Sequence, residues 1–221
     1  MKTIRIILPS LLLAVSTSVF AETEVDAAKV SGFYIGAGYG SFSYETDSDW
    51  DDDQRYGRLT ESTDGNTLKM YGGYQFNKII GVEATYTDYG DTEGYVRTLT
   101  FNPIGIKNQE VTQSPTAISV AANAGYSFNN GLRPFALLGL SYMTLDSSYA
   151  FLDTDNPIAI RYGFGLDYAP AMVKGIQLRV AYEGDIYLAE AYNGYNNDAD
   201  IDIEVDIFAL SSFYAGVSYK F

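Results

Sequence analysis

The last nine residues of the chain, 213–221, constrain its fold more than any other stretch. Side chains of an extended strand alternate between its two faces. One face here is apolar and mostly aromatic, with Phe213, Val217, Tyr219 and Phe221. The other face is small or polar, with Tyr214, Gly216, Ser218 and Lys220. No later segment of the printed sequence could cover the apolar face. We therefore expect it to be covered either by lipid around a closed barrel or by a second sheet in a soluble sandwich.

Earlier segments alternate in the same way, and no helical period of 3.6 residues persists from Gly32 onward. The alternating segments are 33–40, 67–76, 79–88, 118–128, 135–144, 160–168 and 176–185. Together with the terminal segment they predict eight strands. The fifth segment, 135–144, is apolar on both faces, so the sequence leaves its register open.

The connections between these segments alternate in length. Those after Phe76, Phe128 and Tyr168 are short, and those after Tyr44, Tyr89, Asp146 and Glu190 are long. Short turns at one end and long loops at the other are typical of transmembrane barrels. The sequence therefore predicts an all-β, eight-stranded antiparallel transmembrane β-barrel with short periplasmic turns and long extracellular loops. A hairpin formed within 92–114 would raise the count to ten strands, and the sequence leaves this open.

Aromatic residues recur at the two ends of the predicted strands. The end with short turns has Phe33, Phe76, Phe128, Tyr168 and Phe221 on apolar faces. The end with long loops has Tyr39, Tyr86 and Tyr182. Two such rows match the aromatic girdles at the membrane surfaces. A soluble sandwich would instead hide its aromatic residues inside and would not place them in rows, which disfavours that alternative.

The first twenty-one residues have the pattern of a secretory signal peptide. A basic start with Lys2 and Arg5 is followed by an apolar stretch and by the cleavage pattern Val19-Phe20-Ala21. We expect cleavage after Ala21, which divides the chain into a signal peptide, 1–21, and a barrel domain, 22–221. The chain has no cysteine, so no disulfide framework is expected in the exported protein.

The net charge and the missing residue types argue against two function classes. A net charge of −14 disfavours nucleic acid as a partner, because neutralising phosphates requires Lys and Arg. Barrel hydrolases and acyltransferases generally depend on a histidine as proton carrier, and the chain has no histidine and no cysteine that could serve as nucleophile. We therefore expect no enzymatic activity, and no motif indicates a cofactor.

Two acidic segments raise the question of cation binding through oxygen ligands. The first is Asp47-Ser48-Asp49-Trp50-Asp51-Asp52-Asp53. The second runs from Asp198 to Asp206, lacks the turn glycine of a calcium loop, and alternates with Ile201, Ile203, Val205 and Ile207. It has the pattern of a strand. Solvated acidic surface is the favoured interpretation of both segments, and no metal site is predicted.

Charged residues also lie on the inward faces of the predicted strands, well away from their ends. They are Lys69, Glu83, Arg161, Arg179 and Glu183. Charges buried in a narrow barrel must be paired, and an eight-stranded barrel is just wide enough for side chains to fill it. The sequence predicts a salt-bridged plug. A narrow hydrated pore lined by the same residues is the alternative.

Several motifs make the chain resemble the small outer-membrane barrels of the OmpA-like and opacity-protein type. They are Gly32-Phe33-Tyr34-Ile35-Gly36-Ala37-Gly38-Tyr39-Gly40, Gly81-Val82-Glu83-Ala84, Arg133-Pro134-Phe135 and Tyr219-Lys220-Phe221. The pattern of Gly216, Tyr219 and Phe221 also resembles the C-terminal signal recognised by the barrel assembly machinery. Unlike in two-domain members, we expect no peptidoglycan-binding domain after the last predicted strand.

The resemblance implies a bacterial outer-membrane location and contact with outer-membrane lipid and lipopolysaccharide. The expected function is structural or interactive, namely envelope integrity or adhesion by a monomer through its outer loops. A host surface or another envelope molecule would then be the partner. The alternative is a narrow porin-like channel for ions or small solutes.

Overall fold

The computed structural model describes residues 31–46, 59–61, 65–101, 104–147, 156–195 and 201–221. Its strands are β1 Gly32–Thr46, β2 Leu59–Glu61, β3 Gly65–Gln75, β4 Ile80–Asp88, β5 Thr92–Phe101, β6 Ile104–Gly125, β7 Leu132–Ser147, β8 Ile158–Tyr168, β9 Ile176–Tyr195 and β10 Ile201–Lys220. None of the described segments forms a helix long and apolar enough to cross a membrane.

Eight of these strands close into a barrel. The order around the wall is β1, β3, β4, β6, β7, β8, β9 and β10, and β10 pairs again with β1. All pairings are antiparallel. Closure leaves the wall without an unpaired edge. The predicted eight-stranded antiparallel barrel is therefore confirmed.

The register gives the stagger of the wall. A path of directly paired residues that leaves β1 at Tyr34 returns to β1 at Tyr44, ten residues further along. Strand number and stagger together set the tilt, which is typically 35–45° in barrels. Because the strands tilt, a residue and its direct partner on the next strand do not lie at the same height along the barrel axis. Their heights differ by about 1.25 residues, which is the stagger of ten residues divided by the eight strands.

The two ends of the barrel differ. The turn end has the short connections 76–79, 126–131 and 169–175, and Phe221 N donates a hydrogen bond to Phe33 O there at 2.9 Å. The loop end has longer strands that rise beyond the wall. This asymmetry is the one that the lengths of the connections predicted.

The segment 92–114 does form a hairpin, but outside the ring of eight. β5 pairs with the first part of β6, and β2 pairs with β5. β4 and β5 pair with consecutive parts of β6, separated by Tyr89, Gly90 and Asp91. Three residues there face two on β6, which makes a β-bulge, and Gly90 takes the left-handed conformation (φ 75°) that glycine tolerates best.

The last hairpin also rises beyond the wall. β1 pairs with β10 only as far as Phe208, and β8 pairs with β9 only as far as Ile186. β9 and β10 nevertheless remain paired with each other to Tyr195 and Ile201. We call residues 187–195 and 201–208 the β9–β10 ribbon. The acidic stretch 201–206 is thus a strand in its backbone, as its alternation indicates.

Side chains on the wall alternate between a filled interior and an apolar outer surface. The structure settles the open register of β7 by its pairing with β6 and β8. Its buried side chains are Arg133, Phe135, Leu137, Ser141, Met143 and Leu145, whereas Pro134, Ala136, Leu138, Leu140 and Tyr142 are exposed outside. The turn-end aromatics Phe33, Phe76, Phe128, Tyr168 and Phe221 are exposed as well.

Candidate functional site: the barrel interior

The interior of the barrel is filled by polar groups, and its charges balance. The buried charged side chains among the described residues are four cations and four carboxylates. The four nearer the turn end, which we call the turn-end layer, are Glu83, Arg133, Asp167 and Arg179. The four nearer the loop end, the loop-end layer, are Lys69, Arg161, Glu183 and Asp185.

The turn-end layer is organised around Arg179. This β9 side chain reaches Glu83 on the opposite side of the barrel, with Nη1 2.9 Å from Oε1 and 3.0 Å from Oε2. Its Nε donates to Asp167 Oδ1 at 2.8 Å, and Nη2 donates to Oδ2 at 3.3 Å. Arg133 Nη1 lies 3.5 Å from the same Asp167 carboxylate. One guanidinium thus joins two carboxylates on β4 and β8.

Neutral and aromatic groups complete this layer. Tyr34 and Asn123 both donate to Glu83 Oε2, at 2.7 and 3.2 Å. The guanidinium of Arg179 lies 4.3 Å from the centre of the Tyr71 ring and 4.4 Å from that of Phe135. Aromatic rings attract guanidinium groups, so Arg179 is fixed by ring faces as well as by carboxylates.

The loop-end layer is organised around Arg161. Its guanidinium pairs with Glu183 through Nη2, and with Asp185 through Nη1 at 2.8 Å. Lys69 Nζ reaches Glu183 Oε2 from β3 at 3.2 Å. Both carboxylates come from β9 and both face inward, because they lie two residues apart on one strand.

Three hydroxyl groups complete the loop-end layer. Tyr214 donates to Glu183 Oε1 at 2.5 Å, and Tyr89 and Ser141 donate to the two oxygens of Asp185. The Tyr89–Asp185 bond joins the end of β4 to β9. The barrel is therefore crossed twice between these elements, once in each layer.

Close approach of the large side chains depends on glycines in neighbouring strands. A Cβ built on Gly38 would lie 2.7 Å from Cε2 of Tyr214, and one built on Gly36 would lie 2.7 Å from Cζ of Tyr71. These glycines leave the volume that the inward tyrosine rings occupy. The pattern of Tyr34, Gly36, Gly38 and Gly40 on one face of β1 therefore has a packing reason.

An apolar cluster covers the charges on the loop side. We call it the apolar cap, and it consists of Phe42, Tyr89, Ala117, Met143, Leu145, Ala159, Tyr187 and Leu210, with Phe208 packed against them. Met143, Tyr89 and Leu210 are completely buried. The loop side of the interior is thus closed by hydrocarbon rather than by charge.

The turn end is open instead. A vestibule of about 400 Å³ lies between the short turns, lined by residues that include Gln75, Arg133, Asp167, Lys174 and Lys220. Lys220 Nζ donates to Gln75 Oε1 at 2.6 Å across it. Farther inside, the space lined by Tyr34, Asn123 and Arg179 is only about 10 Å³, roughly the volume that one water needs.

All five interior charges singled out from the sequence lie in these two layers. Glu83 and Arg179 belong to the turn-end layer, and Lys69, Arg161 and Glu183 to the loop-end layer. Asp167 and Asp185 are not among these five, although alternation puts them on the same polar faces. The sequence does not place Arg133 inside the barrel, because it leaves the register of that strand open.

Other residues named in the sequence lie elsewhere. Phe221 and Tyr219 are exposed on the outer surface at the turn end, whereas Gly216 faces inward beside the Tyr71 hydroxyl. The segment Asp47 to Asp53 and the residues 196–200 lie outside the described residues. Among the described residues, no group of three or more His, Cys, Asp or Glu could hold a metal ion.

Comparison with protein families gives a match over nearly the whole chain. Residues 9–221 match the family described as "Outer membrane protein beta-barrel domain". No curated protein matches the sequence significantly.

Several solved structures are similar to this one. Neisserial surface protein A (NspA) is 15% identical, with 86% of this chain and 99% of that chain covered and a TM-score of 0.53. The outer membrane protein AlkL is 17% identical, with 86% and 91% covered and a TM-score of 0.51. Ail of Yersinia pestis, in complex with the heparin analogue sucrose octasulfate, is 16% identical, with 86% and 99% covered and a TM-score of 0.47. At these identities the likeness concerns the fold alone.

Proposed function

Because the chain belongs to the outer membrane protein β-barrel domain family, we propose that it is a closed barrel acting in envelope integrity or surface interaction. The protein is a transmembrane β-barrel of the bacterial outer membrane. The turn end is then periplasmic and the loop end extracellular.

The observation that carries the proposal is the crossing of the interior by Glu83 and Arg179 beneath an apolar cap. A conducting path needs continuous water, and here two layers of paired charges block the axis. The cap adds an apolar barrier, because the buried side chains of Phe42, Met143 and Leu210 offer little to a hydrated ion. The interior therefore supports a plug better than a pore.

The extracellular strands support an interactive role. Within the described residues, the β9–β10 ribbon has no paired neighbour beyond Phe208 on one side and beyond Ile186 on the other. Free backbone N–H and C=O groups at such edges can add a strand from a partner. The strand β5 and the outer half of β6 form a second projection. A host surface or another envelope molecule is the proposed partner.

Catalysis has no comparable support. The four carboxylates buried in the described part of the chain are all engaged in ion pairs, and the sequence has no histidine or cysteine to carry a proton or attack a substrate. We propose that the protein is not an enzyme.

A narrow channel is the second candidate, and two observations favour it. The vestibule opens the periplasmic end. In addition, Arg133 Nε and Arg161 Nε bond to no described group, and water would satisfy such buried N–H groups. A hydrated interior would then connect the vestibule to the layers above it.

The test measures conductance, envelope permeability and cell binding for the unmodified protein and for two variants that each lack one extracellular projection. In one variant a two-residue turn replaces 189–206, so that Leu188 and Ile207 remain paired. In the matched variant the same turn replaces 92–113, which removes β5 and its partner segment of β6. Both variants keep the eight wall strands.

We expect no steady conductance from the unmodified protein or either variant in planar bilayers, and no change in envelope permeability to small solutes. We expect cell binding to fall in the variant that loses the β9–β10 ribbon. Reproducible open steps from the unmodified protein would favour the channel, and unchanged binding by both variants would remove the interactive role.

A further inference from the structure

The outward tyrosines near the loop end, which we call the extracellular girdle, give a reference height for the other residues of the outer wall. The outward tyrosines Tyr39, Tyr86, Tyr162 and Tyr182 lie on β1, β4, β8 and β9. The stagger brings these four residues to within about one residue of the same height. Tyr162 and Tyr182 are also diagonal neighbours on adjacent strands, with ring centres 6.3 Å apart.

Above this level the wall becomes polar on one side of the barrel. On β1 the next outward residues after Tyr39 are Ser41 and Ser43, both exposed. On β4 the residue after Tyr86 is Asp88, and β3 places Asn66 beside them. The apolar surface on the β1–β3–β4 side therefore ends at the girdle.

On the other side the apolar surface continues upward. Two and four residues beyond Tyr162 on β8 lie Ile160 and Ile158, which are 53% and 72% exposed. Four and six residues beyond Tyr182 on β9 lie Ile186, half-buried, and Leu188, which is 62% exposed. We call these four residues the raised apolar rim. Four residues of a tilted strand correspond to about 10 Å of height.

A tilt of the whole barrel would not equalise the two sides. At the periplasmic end, Phe33 on β1 and Tyr168 on β8 lie within about one residue of the same height. The apolar outer surface thus extends higher on the β8–β9 side at the extracellular end, whereas its periplasmic boundary lies at the same height on both sides. Lowering that side into the membrane would only move the mismatch to the periplasmic boundary.

We propose that acyl chains of outer-leaflet lipid cover the raised apolar rim, so that the leaflet is locally thicker along β8 and β9. The rim is continuous with the lipid-facing surface of the same two strands, through Leu166 and Phe164 on β8 and Leu178 and Val180 on β9. Lipid that already contacts this wall needs only to extend along it. Local thickening is a known response to a longer apolar surface.

The absence of cysteine makes the proposal directly testable. Single variants Ile158→Cys and Ser43→Cys place a fluorophore four residues beyond a girdle tyrosine on opposite sides of the barrel. Each is reconstituted in phosphatidylcholine vesicles and exposed to iodide on both sides, or to phosphatidylcholine carrying a nitroxide on its acyl chain. Leu166→Cys serves as the lipid reference and Lys174→Cys as the aqueous reference. Heat-modifiable migration verifies that each variant is folded.

We expect the label at 158 to be quenched by the lipid nitroxide severalfold more than the label at 43, and the iodide order to be reversed. Iodide access at both positions would show that the rim is in water and would overturn the proposal. Lipid access at both would show an even boundary and would also overturn it. Protection from both quenchers at 158 would indicate a covering protein segment or a second copy instead of lipid.

Discussion

Glu83 and Arg179 meet across the full width of the barrel, on β4 and β9, which lie four strands apart around the wall. Arg179 Nη1 lies 2.9 and 3.0 Å from the two carboxylate oxygens. Wall strands are already joined to their neighbours by backbone hydrogen bonds. This ion pair instead joins opposite sides of the barrel. Its loss should therefore destabilise the barrel more than the loss of a surface ion pair would.

Replacing Arg179 should destabilise the barrel strongly. Arg179→Met leaves Glu83 and Asp167 without their main partner, and an uncompensated buried charge typically costs about 3–5 kcal/mol. We expect a clear fall in the thermal unfolding temperature of the purified barrel. Lys174→Met, in an exposed periplasmic turn, is the control and should change little. An unchanged unfolding temperature in Arg179→Met would mean that water solvates the freed carboxylates, which would strengthen the channel alternative.

Adding one methyl group to the wall should have different effects at Gly38, which faces the interior, and at Gly72, which faces outward. In Gly38→Ala the new Cβ would overlap Cδ2 of the Tyr214 ring and lie 2.7 Å from its Cε2, and this ring holds the hydroxyl that donates to Glu183. Overpacking of this kind costs about 1–3 kcal/mol. In Gly72→Ala the nearest atom to the new Cβ is 3.4 Å away, an ordinary contact. We expect Gly38→Ala alone to unfold at a lower temperature; equal behaviour of the two variants would refute the packing account of Tyr214.

Assembly in cells should depend on the terminal aromatic residue. Phe221→Ser removes the last position of the proposed assembly signal, whereas Phe128→Ser removes another aromatic of the same periplasmic girdle. Both side chains are exposed on the outer surface. We expect the folded, heat-modifiable form in the outer membrane to fall much further for Phe221→Ser. Similar losses would mean that Phe221 acts only as one girdle residue among several.

The β9–β10 ribbon should resist hydrogen exchange. Residues 203–207 pair with 188–192 on β9, so many of their amide hydrogens are engaged in a ladder. We expect slow exchange of this stretch in detergent, approaching that of wall residues such as those around Val217. Rapid exchange throughout 201–207 would mean that the ribbon opens freely and offers no ordered strand edge to which a partner strand could add.

The sequence predicts the inward and outward directions of most wall residues because only one face of each strand is apolar. On β7 both faces are apolar, with Leu137 inside and Leu138 outside, so only pairing with β6 and β8 fixes the register. The same alternation does not predict which side chains meet across the interior of the barrel. That Arg179 reaches Glu83 as well as Asp167 depends on the stagger of the wall, which alternation along single strands does not contain.

The open question of the segment 92–114 has a similar cause. Its residues can pair with one another wherever the hairpin lies, so local pattern does not distinguish a wall strand from a projection. What decides it is that β4 and β5 pair with consecutive parts of the same strand, β6, around the bulge at Gly90. This arrangement follows from the partner strand and not from the segment itself.

The balance of four buried cations and four buried carboxylates among the described residues has an electrical consequence. These eight groups cancel, so the remainder of the chain carries the entire net charge of −14. Mobile ions screen exposed charges within about 10 Å at 0.1 M salt, but reach buried pairs much less. Ionic strength should therefore change the interactions of the exposed charges and have little effect on the buried ion pairs. Raising it should leave the unfolding temperature of the barrel nearly constant while altering how strongly the acidic extracellular strands attract a basic partner or repel an acidic one.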